Sequence, residues 1–281
     1  MNPRLACADF TFPLLEHDKV LALIGLLDFQ GVDIGLFENR GHLQPSTELA
    51  DPDRRGEALG RRAAGAGLKI ADVFLQTSTD FREYAINHPD RARRDHNREL
   101  FLKTLDYASA AGSDHITCLP GVRFDDEPKS AWLGRAATEL AWRIDQANRY
   151  HLRFSTEVHI GSLASTPAEA IELLENVPGL KLTLDYTHFV RAGQDARAAD
   201  VLIPYADHFH VRGAAPGKLQ TIFQQNVIDY PAIVSLLNQA HYQGWIGIEY
   251  IWTEWENANQ CDNISETIQF RDVIRRAWGG I

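Results

Sequence analysis

Four side chains in the C-terminal half have the types and spacing to gather around a divalent cation. Glu157, Asp185, His210 and Glu249 lie in the short runs RFSTE, LKLTLD, HFHVR and WIGIEY, at or next to their ends. The intervals from Glu157 to Asp185, to His210 and to Glu249 are 28, 25 and 39 residues, each near one strand-plus-helix unit. Three carboxylates converging on one spot repel each other unless something positive sits between them, and a divalent ion is the simplest answer. Oxygen-rich ligation with one imidazole favours a hard or borderline ion, Mn²⁺ first, with Mg²⁺ and Co²⁺ as alternatives. Three carboxylates on such an ion leave one negative charge, which Arg212 would offset.

The elements needed to position these residues are legible as an alternation. Strand-like runs lie at 5–8, 32–37, 69–75, 115–119, 152–157, 180–184, 208–211 and 245–251. Between them lie helical patterns at 17–29, 53–66, 90–111, 129–150, 167–176, 231–243 and 265–278, with 189–204 unassigned. Thr166-Pro167 predicts an N-cap followed by proline in the first turn, and Gly31, Gly67, Gly112 and Gly244 suit helix C-caps. Eight strands at about 35 residues per unit predict a single (β/α)₈ TIM-barrel domain over 1–281. The competing doubly wound sheet would carry a glycine loop after its first strand when it binds nucleotide. Here that strand runs into ACADFTFPLL, which has no glycine.

Catalytic groups of such barrels sit at the C-terminal ends of the strands. Side chains alternate across a strand, so Glu157 shares a face with Ser155, Asp185 with Thr183, and Glu249 with Gly247. Gly247 leaves space below its acid, whereas Phe154, Leu182, Leu184, Ile246 and Ile248 point to the outer helices.

The set E157-V-H, L-D185-Y-T-H188, H-F-H210-V-R212 and I-E249-Y resembles the sugar phosphate isomerase/epimerase superfamily of xylose-isomerase-like barrels. That group takes in tagatose 3-epimerase, hydroxypyruvate isomerase and inosose isomerase and dehydratase. The resemblance spans nearly the whole chain, through GVDIGLF and AAGSDHITCLPG as well. It implies Glu157, Asp185, His210 and Glu249 as metal ligands, with Glu157 and Glu249 doubling as an acid–base pair. His188 and Arg212 match positions that contact substrate oxygens. The implied activity is isomerisation or epimerisation of a small keto-sugar or polyol-derived ketone, by proton transfer through an enediolate. A lyase on the same site is the alternative, as a dehydratase or C-glycoside-cleaving relative. Two positions depart from the pattern: Gly35 and then Glu38 stand where strand two often ends in glutamate, and Leu119-Pro120-Gly121 replaces a His-Pro-Gly.

His208 shares a strand face with His210. The strand-end position and the family pattern favour His210 as ligand and make His208 a hydrogen-bonded residue one layer below. His159, two residues past Glu157, is either a cavity-facing substrate or proton-transfer group or a rim histidine. Trp252, Trp255 and Asn257 carry no assignment; a stacking wall, an oligomer contact and core packing all fit. The run from Gly213 to Lys218 is one residue short of a phosphate loop and reads as a glycine-rich turn, although Lys218 could still reach an anionic substrate.

Composition excludes other classes. Lys and Arg number 28 against 38 Asp and Glu, a net charge of −10 with no basic run beyond RARRDHNR, which reads as a solvated helix face. Nucleic acid is a poor partner for such a chain, and the extra histidines a DNA-repair endonuclease would need at the ends of strands two to four are missing. No lysine ends a strand, which disfavours a Schiff-base aldolase. A purely binding barrel would not need the full ligand set. The three dispersed cysteines indicate neither disulfides nor a thiolate site. The sequence has no apolar run long enough to span a membrane and no recognisable leader pattern. The expectation is therefore a cytoplasmic enzyme whose partner is a small carbohydrate, with a homo-oligomer left open.

Overall fold

The computed structural model describes residues 3–279. Strand β1 (Leu5–Ala8) and a 3₁₀ turn (Asp9–Thr11) precede helix α1 (His17–Leu26) and β2 (Gly31–Phe37). Helices α2 (Pro45–Glu48) and α3 (Pro52–Gly65) lead to β3 (Lys69–Gln76), and α4 (Arg91–Ala111) leads to β4 (His115–Cys118). Helix α5 (Lys129–Arg149) precedes β5 (Arg153–Glu157), and α6 (Pro167–Asn176) precedes β6 (Lys181–Asp185). Helix α7 (Tyr186–Arg191) and a 3₁₀ stretch (Ala196–Tyr205) run to β7 (Ala206–Val211). A hairpin follows, β8 (Gly213–Ala215) and β9 (Lys218–Thr221), and then α8 (Tyr230–Gln239), β10 (Ile246–Ile248) and α9 (Asn263–Gly279). Eight strands close in the order β1-β10-β7-β6-β5-β4-β3-β2, every neighbour parallel. This is the (β/α)₈ barrel that the alternation predicts.

Local chemistry sets several boundaries. Thr166 and Glu169 form a reciprocal capping box at α6, with Pro167 in its first turn. Gly112 ends α4 at φ +79°. Gly31 and Gly244, expected to be caps as well, are glycines for another reason. A Cβ on Gly31 would lie 2.7 Å from the Trp245 ring, and one on Gly244 would lie 2.2 Å from the Asp207 carbonyl oxygen. The unassigned stretch 189–204 is the end of α7 and most of the 3₁₀ stretch, where a short helical turn gave no readable period. The Gly213–Lys218 run is β8 and the turn that joins it to β9.

The two faces of the strands have different chemistry. Phe154, Leu182, Leu184, Ile246 and Ile248 pack outward into the main apolar cluster under the helices. Inside, the layer beneath the mouth is polar and buried: Asp33, Asp72, His115, Ser155, Thr183 and His208 are each at most 2% exposed. Asp72 accepts from His115 (2.6 Å), the His115 ring meets Ser155 (3.1 Å), and Ser155 meets Thr183 (2.5 Å). His208 Nε2 reaches Asp33 across the barrel at 3.1 Å.

Gly247 makes this layer fit. A Cβ there would lie 1.9 Å from Asp33 Oδ2 and 3.3 Å from His208 Nε2. We therefore expect Gly247→Ala to cost about 2–4 kcal/mol, from overpacking and a strained charge-assisted hydrogen bond. Gly134→Ala, where a Cβ meets nothing within 4 Å in α5, should be neutral or stabilising by up to about 1 kcal/mol. Urea denaturation of both variants checks the pair.

Candidate metal centre and active site

The strand ends bring the four residues together. Glu157 ends β5, Asp185 ends β6, His210 lies one residue before the end of β7, and Glu249 follows β10, its N–H donating to the Val211 carbonyl at 3.0 Å. Ligand-type atoms of Glu157, Asp185, His210 and Glu249 all lie within 4.8 Å of one another, and all four residues are buried. His210 Nδ1 is 3.0 Å from Glu157 Oε1 and 3.2 Å from Glu249 Oε2.

Asp185 divides its carboxylate between two tasks. Oδ1 caps α7 by accepting from the Thr187 N–H at 2.8 Å, while Oδ2 faces the cluster. The first turn of α7 then sets His188 Nε2 3.4 Å from Asp185 and 3.9 Å from Glu157. His188 Nδ1 accepts from the Ile160 N–H at 3.3 Å. A neutral His188 therefore carries its proton on Nε2, the atom that faces the acids. Arg212 is also fully buried here. It donates to Asp185 Oδ2 at 2.8 Å and to Thr187 at 3.1 Å, and stands 3.6 Å from Glu249.

The charges of this arrangement are strongly biased. Burial raises the Glu157 carboxyl above its usual range, against the hydrogen bond from His210. Burial works the same way on Glu249, but the charges of Arg212 and His210 overcome it and hold Glu249 low. Burial opposes protonation of His210, yet the flanking glutamates lift it well above the ordinary imidazole range. Burial depresses both His188 and His159, the latter to about 4. A cation fits this site on the chemistry of its donors. The cluster gathers three acids with one imidazole, and Glu249 Oε2 is buried without a hydrogen-bond partner.

Above the cluster opens a cavity of about 670 Å³, within the usual range for small-molecule sites. Glu157, His159, His188, Arg212 and Glu249 line its acid side, and Phe10, Phe37, Arg40, Gln76, Phe81 and Trp255 are among its other lining residues. His159 thus faces the cavity, its ring 4.3 Å from that of His188. Trp255 is 46% exposed and lines the cavity, so core packing does not describe it. Lys218 is not among the lining residues, and Glu38 is used outside the cavity, accepting from Ser46. His208 sits in the layer below, as its position in the strand predicts. Asp33, His208 and His210 form another close group of potential ligands, as do Glu157, His159 and His188.

Sequence reasoning did not single out Arg40, Phe37, Phe81 or Asp33. Asp33 and Asp72 carried a readable signal, an acid on the inward parity of an otherwise apolar strand. Arg40 carried none, because a loop fixes no parity.

Residues 21–272 match the family model described as xylose isomerase-like TIM barrel. The chain belongs to that family. No curated protein matches it. Among solved structures, an L-ribulose 3-epimerase superposes with a TM-score of 0.78 at 16% identity, covering 99% of this chain and 95% of the other. A probable 3-DHS dehydratase from Bacillus anthracis gives 0.68 at 12% identity, with coverage of 96% and 98%. A xylose isomerase-like TIM barrel protein from Mycobacterium smegmatis, in complex with magnesium, gives 0.75 at 15% identity, with coverage of 100% and 97%. At these identities the likeness is one of fold. Among the described residues, no helix is long and apolar enough to cross a membrane.

The two histidines of β7 can be separated by metal content. His210→Ala and Asp185→Asn should weaken divalent-metal binding at least ~10-fold. His208→Ala should keep its metal and lose about 1–3 kcal/mol of stability with the Asp33 hydrogen bond. Elemental analysis beside a denaturation curve decides it, and full occupancy in His210→Ala would move the site.

Proposed function

We propose that this chain is a divalent-metal-dependent isomerase or epimerase of a small keto-sugar or polyol-derived ketone. One observation carries the reading: three buried carboxylates and an imidazole converge beside Arg212 at the base of a cavity of substrate size. Glu157, Asp185, His210 and Glu249 would hold the cation, which when bound would polarise a carbonyl and an adjacent hydroxyl and so acidify the C–H of the hydroxyl-bearing carbon. The oxygen-rich donor set suits Mn²⁺, Mg²⁺ or Co²⁺.

The protein's own groups supply the rest. Glu157 and Glu249 reach the cavity from either side of His210, so one takes the proton from carbon while the other returns one. Arg212 offers N–H donors to the developing enediolate oxygen, and its fixed hydrogen bonds to Asp185 and Thr187 hold it there without reorganisation. His188, with its proton on Nε2, donates to a neighbouring substrate oxygen. His159 closes that wall, and Phe10, Phe37 and Trp255 exclude water from the carbon skeleton. Elimination of a β-substituent from the same enolate is the lyase outcome, and the product distinguishes it.

Glu157→Gln and Glu249→Gln keep a coordinating oxygen and lose the base. Each should retain bound metal while turnover falls at least ~10²-fold. A panel of ketoses and inososes in D₂O should take solvent deuterium at the carbon next to the carbonyl. Loss of water with a new ultraviolet enone band would assign a lyase. Near-normal turnover in both glutamine variants would end the two-glutamate mechanism and turn attention to His159 and His188.

A further inference from the structure

Three arginines line the cavity, and their partners differ. Arg212 is committed to Asp185 and stands beside Glu249. Arg191 is committed to Glu256, its Nε 2.7 Å from Oε1. Among the described residues Arg40 has no carboxylate partner, and its guanidinium hydrogen-bonds only to the Gln76 side-chain oxygen. It rests on two aromatic rings, 5.7 Å from the Phe37 centroid and 5.5 Å from that of Phe81. Such a guanidinium is held in place yet keeps most of its five N–H donors free, the fork that matches a carboxylate or phosphate.

Its position is across the cavity from the acids. Phe81 packs edge-on against His159 at 5.3 Å, and His159 packs on His188. Phe37 meets Phe74, whose ring lies 6.4 Å from that of His210. Two rows of rings therefore separate Arg40 from the reacting end. The charges point the same way. A divalent ion held there would, with Arg212, balance the three carboxylates, and Arg191 with Glu256 is neutral. Among the described residues Arg40 is the one uncompensated charge left on the cavity wall.

We infer that Arg40 recognises an anionic group, a carboxylate or a phosphate, on the end of the substrate away from the reacting carbonyl. The substrate class is then an acidic ketose rather than a neutral one. This rests on the reading above, in which the acid cluster takes the ketone end.

D-Fructose, D-fructose 6-phosphate and D-fructuronate share one carbon skeleton and differ at the terminal carbon as hydroxymethyl, phosphate and carboxylate. Calorimetric titration into the metal-loaded wild-type protein should show at least one of the two anions binding ~10-fold or more tighter than fructose. Which anion is preferred identifies the group. In Arg40→Gln that preference ratio should collapse towards unity. Gln76→Glu keeps the arginine but pairs it with a new carboxylate, and should lower the ratio in the same way. Fructose binding wild type as tightly as both anions, no binding by any of the three, or an unchanged ratio in both variants would overturn the assignment. Deuterium exchange is recorded on the same samples. A bound anion that shows no exchange would remove the isomerase reading and leave the Arg40 assignment standing.

Discussion

The structure depends on holding three carboxylates together out of water. Two unit charges 4 Å apart interact by about 4 kcal/mol at an effective dielectric constant near 20, and each further acid adds to the repulsion. Burial makes the cost larger, because an unpaired charge loses its hydration as well. Glu157, Asp185 and Glu249 are nevertheless buried within ligand distance of one another. Three neighbours supply positive charge or donors. Arg212 spans Asp185 and Glu249, His210 stands between the glutamates, and the Thr187 N–H takes the remaining oxygen of Asp185.

That constraint reaches down into the barrel. Aliphatic layers usually fill such interiors. Here His210 points Nδ1 up to Glu157 and Glu249, and its Nε2 lies 3.9 Å from Asp33 below. Asp33 is itself buried, and burial raises its carboxyl to about 7, partly offset by the charge of His210. The polar layer of Asp33, Asp72, His115, Ser155, Thr183 and His208 continues this pattern. It has room because Gly247 contributes no side chain. An aliphatic floor would leave His210 with one ring nitrogen facing apolar atoms.

The cavity divides along the barrel. One wall comes from β5, β6, β7 and the residue after β10, and it carries the acids and their counter-charges. The other comes from β2, β3 and the loops after them, where Phe37, Arg40, Gln76 and Phe81 form an aromatic surface whose cation, Arg40, has no carboxylate partner among the described residues. Under the proposed function the first wall would carry the chemistry on the ketone and the second the recognition of what is attached to it. Fold families conserve the barrel while loops vary, and Arg40 lies on a loop.

The sequence by itself determined the barrel and the acid wall. Strand parity and strand ends are local properties, so Glu157, Asp185 and Glu249 could be placed at the mouth from runs of five or six residues. The same parity put Gly247 beneath Glu249, and distance from the strand end separated His210 from His208. Tertiary structure alone decided the polar floor, the short helix α7 that delivers His188, and the wall that carries Arg40. These depend on contacts between strands or loops far apart in the chain, as when Asp33 and His208 meet across 175 residues. No repeat period encodes such a meeting. It is set by where the sheet closes and which loops fold over its mouth.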